Sequence, residues 1–547
     1  MTRKTFLRTI ALGALLSSSD MLMAQSNEEG SSYVTYTLLA IAVIIFFAIV
    51  IQVTNSLFAV EAKQIGADAN DRNFSLFPGF SALFAKKAPR YVGDNRYVST
   101  KRGFDLNLEG GVNGKVEEVK VGTTFALQPK NFIGMTPIPK VTVEAGQEVK
   151  AGEVLFFDKQ RPEIKYVAPV SGEIVSINRG EKRSIAEIVI LADKEQQYLS
   201  IEVPNLETAT REELVDMMLE TGAWTLLRQR PYDIVPNPQS KPRDIFISTF
   251  DTGPIAPDLN KVVDGQESAF QKGLDVLGKL TEGSVFLGLD ARKESAPHAA
   301  FADATGVTKT YFSGKHPIGN VGVQIHHTRA IGGGEQVWVL GVQEVITLGR
   351  LFATGQWNTE RMVALTGEEL SEPTYVRTYQ GAKIGELLAG RVESDKPTRF
   401  ISGDVLSGQK KTADEFLNFY DDQVTTVEEG NYYEMFGWLL PQMARPSISR
   451  TYPSFLFPSM EFHVDTNTHG EKRAFVVTGQ YESVLPMDIY PQHLMKSILA
   501  NDYERMEGLG IYELSEEDIA VCEYVCTSKQ PLQQILRRGL DMMRDQS

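Results

Sequence analysis

Three observations predict a membrane-anchored, multidomain protein of α/β and β architecture. There is one long uncharged apolar run near the N-terminus, a glycine-punctuated strand pattern between residues 142 and 191, and an alternation of helical and strand periods across residues 205–350.

The apolar run, Tyr33 to Val53, holds 21 residues and no charge, its strongly polar members being Thr35, Thr37 and Gln52. As a helix it extends about 31 Å, matching a hydrocarbon core of roughly 30 Å. A single span with no acidic residue inside it cannot line an ion path alone, so any transport needs partner subunits. Residues 1–24 read as a signal peptide, with Arg3, Lys4 and Arg8 ahead of an apolar Ile10 to Leu16 and a small-residue end at Ala24. Cleaved or retained, it leaves the chain beyond the anchor (25–62) on the inner side. The flanks agree: Glu28 and Glu29 lie before the run, whereas Lys63, Arg72, Lys86, Lys87 and Arg90 follow it. The expectation is a single-pass anchor in the inner membrane with the bulk of the chain cytoplasmic. Residues 63–96 read as a linker rich in Phe (Phe74, Phe77, Phe80, Phe84).

A net charge of −15 argues against nucleic acid and against a basic grip on anionic lipid. Two cysteines in 547 residues exclude a disulfide scaffold.

Within residues 97–200, Val143 to Leu155 alternates apolar residues with the turn glycines Gly146 and Gly152, a hairpin signal, and Ala168 to Ile177 repeats it around Pro169 and Gly172. The paired pattern resembles the barrel-sandwich hybrid of biotinyl and lipoyl domains. The place of their modified lysine is held here by Asp158 to Glu163, where Pro162 and charged neighbours depart from the carrier pattern. Lys159 is therefore expected to be a solvated loop residue of a structural hybrid domain.

Residues 205–350 predict a Rossmann-like α/β domain. Thr210 and Glu213 form a capping box before Leu214, Met217 and Met218, and Gly222 ends that helix. Asp244 to Phe250 and Ser284 to Leu289 read as buried strands, with Phe270, Leu274, Leu277 and Leu280 at helical spacing between them. A nucleotide needs a glycine-rich turn at the strand-to-helix junction so that phosphates approach the backbone. Here the junction, Phe250 to Asp258, has one glycine, Gly253, and two prolines, Pro254 and Pro257. Gly332 to Gly334 reads as a loop before a strand at Gln336 to Gly341. The domain is nucleotide-binding in type without the Gly-rich loop.

Phe250-Asp251-Thr252-Gly253-Pro254, Gly314-Lys315-His316-Pro317 running to His326-His327, Ile401 to Gly408, Phe436-Gly437-Trp438 and Cys522 to Cys526 occur in that order. Together they resemble the NqrA family, the A-type subunits of sodium-pumping NADH:quinone oxidoreductases, over nearly all of Tyr97 to Gln546. The resemblance implies a cytoplasmic-side member of a six-subunit respiratory pump, next to membrane partners and the B subunit especially. Electrons pass there from NADH through flavins and iron–sulfur centres to quinone, with no redox cofactor held in this chain. The family is similar to the flavin-bearing subunit of complex I and to the C subunit of the Rnf complex. It also implies a small β-grasp (SLBB-like) domain at residues 360–410, where Pro373 to Leu388 reads strand, turn, helix. A β-rich segment is expected at 411–485 and a C-terminal helical bundle at 486–547, with Leu532, Ile535, Leu536, Leu540 and Met543 as one apolar stripe.

Residue chemistry limits the possible sites. A four-iron cluster wants four thiolates, and only Cys522 and Cys526 exist, expected on one side of a helix after the Ser515–Asp518 capping box. They read as a relict site now in the core. His326 and His327 read as a strand with one ring inward and one outward, and their spacing from His316 matches no common metal pattern. No catalytic residue and no metal ligand is assigned. A quinone ring needs a flat apolar slot with one or two donors; Phe132, Met135, Arg228, Arg230 and Tyr232 are the candidates. Two other readings stay open. A flavin- and NADH-binding electron-entry subunit, like the C subunit of Rnf, predicts bound FMN. A periplasmic efflux adaptor predicts a long coiled-coil insertion where Asp158 to Val167 stand.

Overall fold

The apolar run lies within the helix Glu28–Gln64, whose membrane-compatible part, Thr35–Phe58, is 24 residues long. At 1.5 Å per residue that is about 36 Å, long enough to cross a bilayer with some tilt. The computed structural model describes residues 28–64, 87–136, 138–437, 445–446, 448 and 453–546. The expected signal peptide and most of the expected linker lie outside the described residues. The chain divides into two units, Met1–Lys87 and Ala88–Ser547.

In the second unit, a six-stranded sheet forms the α/β layer. Arg96–Ser99, Thr308–Ser313, Val285–Asp290, Ile245–Ser248 and Val337–Leu340 lie side by side in parallel, and Arg228–Arg230 closes one edge antiparallel. Parallel strands covered on both faces should be apolar throughout, and Ile245–Ser248 obeys: Ile245 and Ile247 face one core while Phe246 faces the other. The helices Glu267–Leu280 and Val342–Thr354 cover one face. They approach closely because a Cβ on Gly349 would run into the Ala269 carbonyl and one on Gly273 into that of Val345. On the other face, Phe250, Phe312, Ile318 and Val323 share a core with the C-terminal helices Pro491–Leu499, Glu516–Tyr524 and Leu532–Arg544. All five stripe residues of the last helix are buried.

Between Val116 and Ala192 two small sheets face one another. One orders Thr124–Leu127, Ile185–Ala192, Gly172–Arg179 and Glu148–Val149; the other, Lys140–Val141, Val154–Phe157 and Lys165–Val167. This is the hybrid architecture, but the expected local hairpins are corrected. Glu148–Val149 pairs with Gly172–Arg179, and Val154–Phe157 with Lys165–Val167, so the chain changes sheet at each glycine turn. Lys159 is exposed, while its neighbour Asp158 is buried and accepts from the Thr136 hydroxyl at 2.5 Å.

The third sheet orders Gln409–Lys411, Thr398–Ser402, Gln423–Glu428, Glu360–Thr366, Thr374–Tyr379 and Val116–Lys120. The β-grasp sheet thus extends beyond the expected 360–410, and it borrows Val116–Lys120 from the segment assigned to the hybrid domain. The expected β-rich segment 411–485 contributes, among the described residues, the strand Gln423–Glu428 and the last residue of Gln409–Lys411.

Two helical readings also change. His326 and His327 lie on the helix Val321–Arg329, not on a strand. Val321, Val323 and Ile325 mimic a strand period, yet Val321 and Ile325 stand four apart against Phe246, and the buried Gln324 between them donates to the Ser248 hydroxyl at 2.8 Å. The helix carrying Cys522 ends at Tyr524, so Cys526 lies beyond it. Both thiols are nevertheless buried in one core; Cys526 Sγ lies 2.8 Å from the Tyr481 hydroxyl, and burial pushes the Cys522 thiol well above its ordinary value.

Candidate functional site

Where strand order reverses in a doubly wound sheet, the carboxyl ends of the two central strands open a crevice that takes ligands. Here that place lies between Ile245–Ser248 and Val337–Leu340. A bound phosphate would use the amino end of Val342–Thr354, where free N–H groups and the helix dipole favour negative charge. The chain supplies its own anion instead. Glu344, in the first turn, folds its carboxylate back so that a Cβ on Gly341 would collide with it. Gln343 beside it binds the backbone of Met362 through both its amide atoms, at 2.7 and 2.8 Å.

Arg361 balances this acid. Its guanidinium donates to Glu344 at 2.6 Å and to the Phe419 carbonyl at 2.8 Å, and it pairs with Asp422 at 3.4 Å. Arg361 and Glu344 are both buried. Burial raises the Asp422 carboxyl to about 7, the Arg361 charge working against that and the Glu344 charge with it. A nucleotide does not fit these residues: the helix end that would hold a phosphate carries a carboxylate, and a strand of the β-grasp sheet closes over it. The cavity of about 480 Å³ lined by Lys241, Arg243, Glu282 and Glu335 lies at the amino ends of the strands, the wrong end for that chemistry.

Beside the closed crevice lie the quinone candidates. Phe132 is buried, its ring centre 4.6 Å from Tyr166, 4.8 Å from Phe419 and 6.1 Å from Tyr420. Arg228, half-buried, stacks its guanidinium 4.9 Å from the Tyr420 ring centre, so Tyr420 joins the two candidates. Arg228 and Arg230 share Asp233 at 3.4 and 3.2 Å, and buried Arg230 also binds Glu517 at 2.9 Å. The two guanidinium charges hold Asp233 below the usual carboxylate range although burial opposes them. Tyr232, in the left-handed region, packs edge-on to Tyr512 at 6.2 Å and accepts from Arg537 at its carbonyl at 2.9 Å. Met135 is half-buried at the core edge, next to Gly134, whose Cβ position would lie 3.1 Å from Ile234. The structure thus gathers Phe132, Arg228, Arg230 and Tyr232 into one linked cluster and sets Met135 on its margin. Sequence reasoning missed Tyr420, Asp233 and Glu517, which link it; the run Phe419-Tyr420-Asp421-Asp422 is the signal that could have pointed there.

The fold is a doubly wound scaffold whose switch-point crevice is filled by side chains from its own α/β and β-grasp layers. Comparison with known proteins gives the family. The NqrA N-terminal barrel-sandwich hybrid domain matches residues 98–193, the NqrA second alpha/beta domain 209–357, and the NQRA C-terminal domain 362–413. The A subunit of the Na(+)-translocating NADH-quinone reductase of Pseudomonas aeruginosa is 39% identical over 446 residues, 81% of this chain and 98% of that protein. Its namesake from Saccharophagus degradans is 38% identical over the same length, and that from Yersinia pestis 37% identical over 443 residues, 80% of this chain and 98% of that protein. The chain belongs to this NqrA family. An NAD+-reducing [NiFe]-hydrogenase superposes over 64% of this chain and 72% of its own at 12% identity and a TM-score of 0.32, too loose to bear on fold or function.

Proposed function

We propose that the chain serves as the cytoplasmic-side NqrA component of a six-subunit sodium-pumping NADH:quinone oxidoreductase, held at the inner membrane by Thr35–Phe58 and acting by assembly rather than by a redox centre of its own. One observation carries this reading: the crevice where a flavin or NADH phosphate would sit is filled by Glu344, Arg361 and Asp422. Flavins, iron–sulfur centres and the NADH site then belong to partner subunits, the B subunit being the expected neighbour. The same closure speaks against the Rnf-like electron-entry reading. The short turn between Val154–Phe157 and Lys165–Val167 leaves no room for the coiled-coil hairpin of an efflux adaptor.

Quinone contact is the finer part of the proposal. Phe132 and Arg230 are buried and support the cluster from inside, while Arg228, Met135 and Tyr232 are half-buried and form its rim. A quinone or a partner's quinone-bearing loop would meet that rim, with Arg228 as the donor to a carbonyl. Purification from the native membrane in mild detergent tests the assignment. Co-purifying flavin-bearing membrane subunits and sodium-dependent NADH:quinone activity are expected. Recovery alone, stoichiometric FMN or iron in the isolated chain, or digestion of its bulk by protease from the outer face of spheroplasts overturns it. In the complex, Arg228→Ala should weaken apparent quinone affinity by roughly tenfold, the worth of one charge-assisted hydrogen bond; an unchanged KM removes the rim from the proposal.

A further inference from the structure

The segment near Phe462 is stitched across two others. Phe462 donates its N–H to the Asn107 carbonyl at 3.0 Å and accepts from Glu109 at 3.2 Å, while Thr466 donates to the Glu428 carbonyl at 3.1 Å. Beneath this junction the backbones of Gly110 and Gly367 touch. Both adopt positive φ, 83° and 113°, and a Cβ on Gly110 would land on the Gly367 carbonyl carbon, so no larger residue allows the approach. The approach sets Glu109 beside Glu368, and the Glu368 charge raises the Glu109 carboxyl above its ordinary value.

A small cavity opens here, and into it face Glu109, Glu368, Glu369, Glu428 and His463. The ligand atoms of Glu369, Glu428 and His463 all lie within 4.8 Å of one another. His463 binds Glu368 through Nδ1 and approaches Glu428 through Nε2 at 3.2 Å. Lys396 also reaches Glu428, at 2.7 Å, from the solvent side. Two cations therefore face four carboxylates. Glu369 carries the argument. It is 8% exposed, it lines the cavity, and among the described residues its carboxylate has no hydrogen bond and no ion pair. The cations that act on it electrostatically, His463 and Lys396, are both already bound to other carboxylates, so one acidic group at this junction is left for a further cation to answer.

We propose that Glu369, Glu428 and His463 bind a divalent transition-metal cation, of which zinc is the representative, and that the cation clamps the 462–466 segment onto the β-grasp sheet. One imidazole nitrogen with carboxylate oxygens and no thiolate suits zinc better than calcium or magnesium, which take oxygen alone. His463 would ligate through Nε2. Glu368, holding Nδ1, fixes the ring and its tautomer, the usual second partner of a metal-bound histidine. Lys396 releases Glu428 to the cation at no cost to its own solvation, since its side chain is exposed. The site stands independently of the proposed function.

The full chain in detergent is stripped with EDTA, loaded with Zn²⁺ alone and dialysed. Retained metal is measured by mass spectrometry and stability by thermal melting. Wild type should keep stoichiometric zinc and melt higher as zinc rises. Glu369→Gln and His463→Asn should lose both effects, each variant's melting temperature in EDTA serving as its own baseline, and Glu368→Gln should bind about tenfold more weakly. Should the first two variants fail to fold, Glu368→Gln and competition by excess Mg²⁺, which should not displace the zinc, decide the matter. Equal zinc retention in wild type and the variants, or a wild-type melting temperature indifferent to zinc, overturns the proposal.

Discussion

Arg361 and His463 each stand among acidic side chains on the β-grasp sheet and its edge, yet their surroundings differ. Arg361 is buried, faces Glu344 and Asp422, and fills its remaining donor capacity with the carbonyls of Phe419 and Asp421. Both carboxylates there reach the one guanidinium, and the place is closed. His463 faces more carboxylates than it and Lys396 can answer, and Glu369 is left over. In the first arrangement the chain's own side chains fill the crevice. The second is what a site looks like when part of its charge is to come from outside. Charge balance, not acidity, distinguishes structure from site.

The sharpest way to break this comparison is to remove Arg361. Arg361→Met leaves Glu344 and Asp422 buried without a partner, and the expected loss is about 3–5 kcal/mol of unfolding free energy. Urea unfolding of the stripped chain measures it. A loss under about 1 kcal/mol means the crevice is wetter and more open than its burial indicates. Next in size is Gly349→Ala, further along the helix that carries Glu344. The new methyl meets the Ala269 carbonyl, so the helices Glu267–Leu280 and Val342–Thr354 must part, at about 1–3 kcal/mol. Because this helix pair carries Glu344, the variant should also lower the cooperativity of the crevice, seen as a shallower urea transition.

What the sequence made legible were features that close within a few residues. The Thr210 box is present as read, with Glu213 N–H to the Thr210 hydroxyl at 3.2 Å and the reverse bond at 2.9 Å, and so is the Ser515–Asp518 box. The final helix buries its apolar stripe. The family resemblance named the right family on motifs spread along the chain. What failed were features decided by partners far away. The strand Val116–Lys120 joins a sheet whose other members begin at Glu360, and no local pattern announces that. The glycine turns at Gly146 and Gly152 look like hairpin tips because both hairpins and sheet switches need the same backbone. Val321 to Ile325 satisfies strand and helix periods alike, and packing on Phe246 decides for helix. Arg361, Glu344 and Asp422 carry no motif in sequence and meet only after the α/β and β-grasp layers pack. So do Glu369 and His463.

Thr210→Ala serves as the local control for these long-range effects. It removes a cap whose two bonds are made within one turn, and about 1 kcal/mol should go. Combined with Arg361→Met it should add without coupling, since the sites share no partner. A coupling above about 0.5 kcal/mol would mean that the cap and the crevice open as one unit.

The smallest effect is the most diagnostic, because it reads the His463 side of the comparison without metal. Burial tends to lower this imidazole, but hydrogen bonds to Glu368 and Glu428 carry its pKa above the ordinary value. A group whose folded pKa exceeds its unfolded one gives stability that is complete below the unfolded value, about 6.5 for histidine, and that fades as pH rises through the folded value. In EDTA, wild type should therefore lose melting temperature relative to His463→Asn, which lacks the group, as pH rises above the ordinary histidine value of about 6.5. With zinc present the slope should reverse or vanish, because the metal holds the neutral ring and competes with the proton. Parallel wild-type and variant curves in EDTA would mean that His463 does not bridge the two carboxylates, and the surplus of negative charge at this junction would then be larger still.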